Sequence, residues 1–582
     1  LLSFRRLSEQ YIYFWQQMYL MYLNSFPKKA CLVGILVLFS VNSLFSQLLE
    51  PKKAFTRADT LRGSLRPERT CYDVTFYELK VKVDTVTKSI SGSSEIFFKA
   101  LTSINVMQID LNDSFEIDNI SYEGKKLYYT REFGAVFVAL MPAIPLGTEG
   151  SILVKYHGTP NKAKRAPWDG GFVWRHDKNG KMWVGVACEG LGASSWWPCK
   201  DHLGDEPDKG IRIIATVPKG LKCVANGQDL GQKDSGQWST FTYLVTYPIN
   251  TYDVSLNIGD YVHFEDEYVA ADGEKLKLNY DVLSYNLDKA EEQFKQVKPM
   301  MKIYEKYLGK YPFWRDGYRL VETSYLGMEH QGAIAYGNHY RTGYDGMDYS
   351  RIGLDFDYII IHESGHEWWG NSVSAADMAD MWIHEGFCTY TESIYVEAMY
   401  GYDTAQLYIN AKKPTIGNRE PIQGQYLGVN KEGSGDMYSK GSLMLNTLRT
   451  VVNNDALWWQ IIKGTCDTAF KFKTINGDDI VNYFCQKSGK DLKPIFYQYL
   501  KYPAIPKLVY TLKKQKGKKY ELIYFWQTDV KDFNMPIKIT TDGGKTEWIP
   551  VSNDIQTRTV TLSAETDFKI NDNLEYIKVE KR

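Results

Sequence analysis

Residues 359–371 read IIIHESGHEWWGN. His362 and His366 stand four apart, and on an α-helix positions i and i+4 share a face, so both imidazoles can reach one ion. Two histidines leave such an ion short of ligands. A catalytic Zn²⁺ takes three protein ligands and keeps a fourth place open. Glu385, in the stretch MWIHEGFCTYTE, lies nineteen residues after His366. That interval lets a first helix end, turn and send a second helix back with a third ligand. Glu392, seven residues beyond Glu385 on the same helical face, is placed to orient a ligand. Glu363 fits a different task, since a carboxylate beside a metal can take the proton of attacking water. The competing interpretation is a buried helix that happens to carry two histidines. The apolar lead-in Ile359–Ile361 and the acid on the second helix weigh against it, and the pattern predicts one Zn²⁺ per chain. Of the nine histidines, His157, His176, His202, His263 and His339 are expected to be surface or structural. His384 is expected to point away from the ion.

These side chains need elements to hold them. Asp355 is the expected N-cap of the first helix and Gly370-Asn371 its stop signal. A second helix is expected over about 379–400. Upstream, alternation such as Leu79, Val81, Val83 against Lys80 and Lys82 predicts strands. The whole chain is expected to be a multidomain α+β protein. An N-terminal antiparallel β domain would span 66–262, a mostly helical metal-binding domain 263–502, and a small β-sandwich 503–582, the last with a turn at Gly543-Gly544.

Net charge is −1, with 44% apolar and 24% charged residues and no long basic run, so electrostatics gives no reason to expect a nucleic-acid partner. Lys28 and Lys29 precede the apolar stretch ACLVGILVLFSVNSLFS, the layout of a secretory signal over residues 1–46, with Met18 or Met21 the better start and a linker at 47–65. The expectation is export to a periplasm or the exterior, with the segment either cleaved near Ser46 or kept as an N-terminal anchor, and no other membrane partner. Setting Cys31 aside leaves Cys71, Cys188, Cys199, Cys223, Cys388, Cys466 and Cys485, an odd number with no zinc or redox spacing, so at least one is free.

HESGHEWWGN followed by DMWIHEGFCTY resembles the zinc aminopeptidases of the aminopeptidase N and leukotriene hydrolase family, with the pattern HExxHxWxGN, then eighteen residues, then a glutamate in WxxEGF. Every position is met, by His362, Glu363, His366, Trp368, Gly370, Asn371, Trp382, Glu385, Gly386 and Phe387. The resemblance implies a thermolysin-like catalytic domain at 263–502. MYSKGSLML resembles the family's YxKG segment, which implies that the Tyr438 hydroxyl stabilises an oxyanion. CEGLGASSWWPCKD implies that Glu189 helps hold a substrate amino group. YLGMEHQGAIAYGN resembles the GxMEN motif, with Glu329 as the main amine anchor and Gly327 and Met328 offering backbone to a peptide. Leu326 and His330 depart from that motif, standing where Gly and Asn are usual.

The resemblance therefore implies a zinc-dependent aminopeptidase acting on peptides with a free amino terminus. Charge-assisted hydrogen bonds contribute about 1.5–3 kcal/mol each, so two carboxylates on one ammonium favour amino termini over internal bonds. The alternatives are a zinc endopeptidase and a non-catalytic peptide-binding protein of the cell envelope. Many relatives add a large C-terminal helical domain over the cleft. No such domain is expected after the small β domain of this sequence, and a more open cleft is the corresponding expectation.

Overall fold

The computed structural model describes residues 55–348, 350, 355–426 and 428–582. The expected signal segment, Cys31 and linker residues 47–54 lie outside the described residues. Arg57–Arg582 forms a single packed unit, and one connected apolar core runs through it from Cys71 to Ile577.

The N-terminal strand Tyr72–Asp84 buries Tyr72 and Val74, switches phase at a bulge between Val74 and Phe76, and then buries Tyr77, Leu79, Val81 and Val83 in period-two alternation. It pairs antiparallel with Ser89–Ala100, but its other edge pairs parallel with Ile211–Pro218 inside an eight-stranded sheet. This corrects the expectation of a purely antiparallel domain. The two parallel strands are separated by more than a hundred residues of intervening chain, which allows the crossover that a hairpin cannot make. A second sheet of four strands includes Met182–Ala187, whose C-terminal end leads into Glu189.

The region expected to be mostly helical opens with a five-stranded sheet. Its strands are β1 (Tyr261–Val269), β2 (Lys275–Leu283), β3 (Tyr318–Glu322), β4 (Gly327–Met328) and β5 (Ile334–Tyr336), in the order β1-β2-β3-β5-β4. The two-residue β4 is therefore an edge strand, antiparallel to β5. Three helices complete the frame: α1 (Tyr358–Gly365), α2 (Trp382–Tyr400) and α3 (Met437–Val452).

The N-cap of α1 is Asp357, not Asp355. Its carboxylate accepts N–H bonds from Ile359 (3.0 Å) and Ile360 (3.3 Å). The same group accepts from Tyr336 Oη (2.6 Å) on β5 and from Asn338 Nδ2 (2.7 Å), which ties the helix start to the sheet. Helical assignment ends at Gly365, five residues before the expected stop. His366 is the C-cap but keeps right-handed helical torsions (φ −64°, ψ −21°), so its ring stays on the face of His362. α2 starts at Trp382, after a 3₁₀ turn at Met378–Asp380. It is buried on all sides from Trp382 to Val396, as befits a central helix.

α3 crosses α2 where two glycines meet. A β-carbon at Gly441 would lie 2.9 Å from the Gly386 Cα, closer than side chains tolerate. The C-terminal region has a four-stranded sheet over Lys507–Lys581 and a three-stranded one that includes the hairpin Ile537–Thr540/Thr546–Ile549. It braces α3: Lys440 Nζ bonds the carbonyls of Tyr502 (2.8 Å) and Pro503 (2.9 Å), and Asn446 Nδ2 that of Leu574 (3.2 Å). All seven described cysteines are free. Among the described residues no helix is long and apolar enough to cross a membrane.

Candidate active site

α1 and α2 bring three donor atoms together. His362 Nε2 and His366 Nε2 are 3.3 Å apart, and the Glu385 Oε2 lies 3.6 and 3.5 Å from them. Ligand bonds of about 2.0–2.1 Å at tetrahedral angles place donors about 3.3–3.4 Å apart, so this triangle fits Zn²⁺. The hydrogen bonding fits as well. His362 Nδ1 donates to Glu392 Oε1 (2.7 Å) and His366 Nδ1 donates to the Trp369 carbonyl (2.9 Å). Neutral rings with those protons on Nδ1 turn bare Nε2 lone pairs toward one another. Glu385 Oε2 is buried and has no hydrogen-bond partner. Two lone pairs and an unpartnered carboxylate oxygen facing one point need a cation there.

Burial alone would raise Glu385, yet the two histidines hold it well below the ordinary carboxylate range. Glu392 is likewise opposed by burial, but Lys412 and His362 bring it down to about 2. Its other oxygen accepts from Tyr408 Oη (2.7 Å) and Lys412 Nζ (2.8 Å). Glu392 thus lies outside the donor triangle and orients His362. Cys388 also lies near the histidines, but its thiol donates to the His362 carbonyl (2.8 Å).

Glu363 opens into the same cleft. Donor atoms of Glu363, Glu329 and His366 lie within 4.8 Å of one another. Burial pushes Glu363 up to about 7 despite the two histidines, close to neutrality. Gly327 makes room for it, because a β-carbon there would sit 2.4 Å from Glu363 Oε1. Glu189, Glu329 and Glu385 form a second trio within 4.8 Å. Burial and then mutual repulsion raise Glu189 strongly, and burial raises Glu329. Two crowded carboxylates of this kind are a cation-binding arrangement. Glu329 is also anchored, its Oε1 accepting from Tyr252 Oη (3.0 Å) and its carbonyl from Asn371 Nδ2 (2.8 Å).

The Tyr438 ring lies parallel to His362 at 6.2 Å between centroids, and its hydroxyl, kept protonated by burial and then by Glu385, faces the donor triangle. Met328, Gly327 and Leu326 line the cleft along edge strand β4, whose outer edge is unpaired in the sheet. His330 does not reach the cleft. It is fully buried without a hydrogen-bond partner, and burial lowers it to about 3. His384 points away as expected, its Nε2 accepting the Ala375 N–H (2.9 Å).

The cleft holds about 370 Å³, and its lining joins Glu189, Gly327 and Glu329 to His362, Glu363, His366, Glu385 and Tyr438. Sequence reasoning missed Tyr252, Tyr358, Tyr408, Lys412 and Trp168. Tyr358 stacks on His362 (5.2 Å, 13°), and the same i, i+4 rule that paired the histidines could have found it. Tyr252 is 77 residues from Glu329 in the chain, and no local pattern points to it.

Two histidines and a glutamate converging on one point, with a further carboxylate beside them, form a candidate metal centre. Residues 292–499 match the profile described as the Peptidase family M1 domain. Over that segment the chain is similar to family M1 peptidases, and among the proteins it resembles are ones named aminopeptidase N and M1 zinc metallopeptidase. It is 22% identical over 338 residues to a leucyl aminopeptidase of Saccharolobus solfataricus, covering 56% of this chain and 41% of that one. It is 22% identical over 457 residues to aminopeptidase N of Lactobacillus helveticus, covering 74% and 51%. The chain thus spans about half the length of these relatives. The solved structure of an M1 zinc metallopeptidase from Deinococcus radiodurans superposes with a TM-score of 0.62 at 19% identity, covering 75% of this chain and 94% of that one.

Proposed function

We propose that the protein is a zinc aminopeptidase that removes the first residue of peptides. The observation that carries this is the carboxylate pair Glu189–Glu329 standing within 4.8 Å of a carboxylate oxygen of Glu385, the residue that completes the donor triangle. An ammonium held there sets the first peptide bond, and no other, against the metal centre.

His362, His366 and Glu385 would hold the ion, which when bound supplies Lewis acidity to water and to a carbonyl oxygen. Glu363, poised near neutrality, accepts a proton from the attacking water at Oε and returns it to the departing amine. The Tyr438 hydroxyl donates to the carbonyl oxygen as negative charge gathers on it. Edge strand β4 offers backbone groups to an extended peptide. A relative from Deinococcus radiodurans has been solved with the tripeptide Tyr-Ser-Ala bound, which supports a peptide as the substrate class. Export of the chain, from the charged and apolar pattern of residues 28–46, is part of the same proposal.

Cleavage of a peptide panel with free and acetylated amino termini, with and without a chelator, tests it. Chelator-sensitive release of the first residue from free peptides alone is expected. Equal cleavage of acetylated peptides would instead establish an endopeptidase. A zinc-loaded protein inert to the whole panel would leave only a binding role.

A further inference from the structure

One wall of the cleft has no part in the chemistry above. Pro167, Trp168 and Leu326 line the cleft without serving that chemistry. Trp168 is 69% exposed, whereas Trp196, Trp197, Trp368, Trp369, Trp382, Trp458 and Trp526 are fully buried. An indole left in water at the mouth of a functional cleft is a surface that gains by being covered.

The loop that carries it is built to hold it in place. Its base is closed by the Ala163 N–H on the Phe172 carbonyl (3.0 Å) and the Phe172 N–H on the Asn161 carbonyl (2.7 Å). Inside the loop, the Asp169 carboxylate accepts the N–H groups of Lys164 (2.7 Å) and Arg165 (2.9 Å). Gly170, at φ +68°, packs so closely on the segment after Glu189 that a β-carbon would lie 2.7 Å from Leu191 Cβ. The loop is therefore seated on the segment that carries one of the two amine-anchoring carboxylates.

We propose that Trp168 is the specificity-determining residue for the first side chain of the substrate, selecting large apolar or aromatic residues. The inference rests on the aminopeptidase reading. The amino group and the side chain of a first residue leave the same α-carbon, so a wall seated against the amine anchor meets that side chain. Trp168 and Leu326 offer it apolar area.

The test compares kcat/KM of the zinc-loaded protein on the 4-nitroanilides of phenylalanine, leucine, alanine and arginine. Wild type is expected to prefer phenylalanine and leucine over alanine, and Trp168→Ala to lower the phenylalanine-to-alanine ratio about tenfold or more, chiefly through KM. Trp168→Phe, which keeps an aromatic face, is expected to retain most of the ratio. A ratio within about twofold of wild type in Trp168→Ala, or a loss greatest for arginine, overturns the proposal. Calorimetric titration of both proteins with free L-phenylalanine and L-alanine reads the same wall without turnover. Failure of every anilide alongside a Trp168-dependent preference for L-phenylalanine would refute the reaction but uphold the wall, and equal binding of the two amino acids would refute the wall.

Discussion

Glu392 accepts the Nδ1 proton of His362 across 2.7 Å, while Lys412 closes on the same carboxylate from the other side at 2.8 Å. The pair fixes both the tautomer and the angle of the ring, so Nε2 faces Glu385. Replacing Glu392 by Ala frees the ring and leaves Lys412 without its carboxylate. Zinc affinity is expected to fall about 10- to 100-fold, read by competition with a chromogenic chelator. Glu392→Gln, which keeps an acceptor, is expected to lose less.

Glu363 faces the cleft and lies outside the donor triangle. Glu363→Ala is expected to retain stoichiometric zinc by metal analysis while kcat on amino-acid anilides falls by about 10²–10⁴. Full activity in that variant would sink the assignment of Glu363 as the proton carrier.

Gly327 controls the same carboxylate by steric means. Gly327→Ala places a methyl 2.4 Å from the present position of Glu363 Oε1, which must swing away. Zinc content is expected to be unchanged and kcat to fall on the order of 10²-fold, the cost of misplacing a reacting group by about 1 Å. An unchanged kcat would show that the carboxylate can be displaced without consequence.

Glu575 lies in the seam between the C-terminal sheets and α3, buried, with neither carboxylate oxygen bonded. Burial raises it to about 8 although Lys413 pulls it down. Its folded value lies above its unfolded one, so its proton stabilises the fold at low pH, and that contribution is lost as pH rises from about 4.5 to 8. Glu575→Gln is therefore expected to raise the denaturation midpoint relative to wild type at pH 8, with the gap shrinking toward pH 5. A constant gap across that range would mean the group does not titrate as its burial requires.

HExxH and the glutamate nineteen residues on were readable from sequence because helical geometry is local: a spacing of four sets two side chains on one face in any context. The turn chemistry was harder. Asp357 prevailed over Asp355 as cap because β5 and Asn338 hold its carboxylate as well as the helix does. The parallel pairing of Tyr72–Asp84 with Ile211–Pro218 depends on chain far away and leaves no mark in either strand.

The sequence by itself determined the candidate metal-binding side chains, the adjacent acid and the helices that carry them. Only the tertiary structure decided what stands opposite. The glycine contact between α2 and α3 lets two backbones approach until Tyr438 faces Glu385, and the N-terminal sheets deliver Glu189, Tyr252 and Trp168 to a cleft whose floor lies more than a hundred residues further along the chain. Such meetings follow from packing across the whole core, where each contact depends on elements distant in sequence.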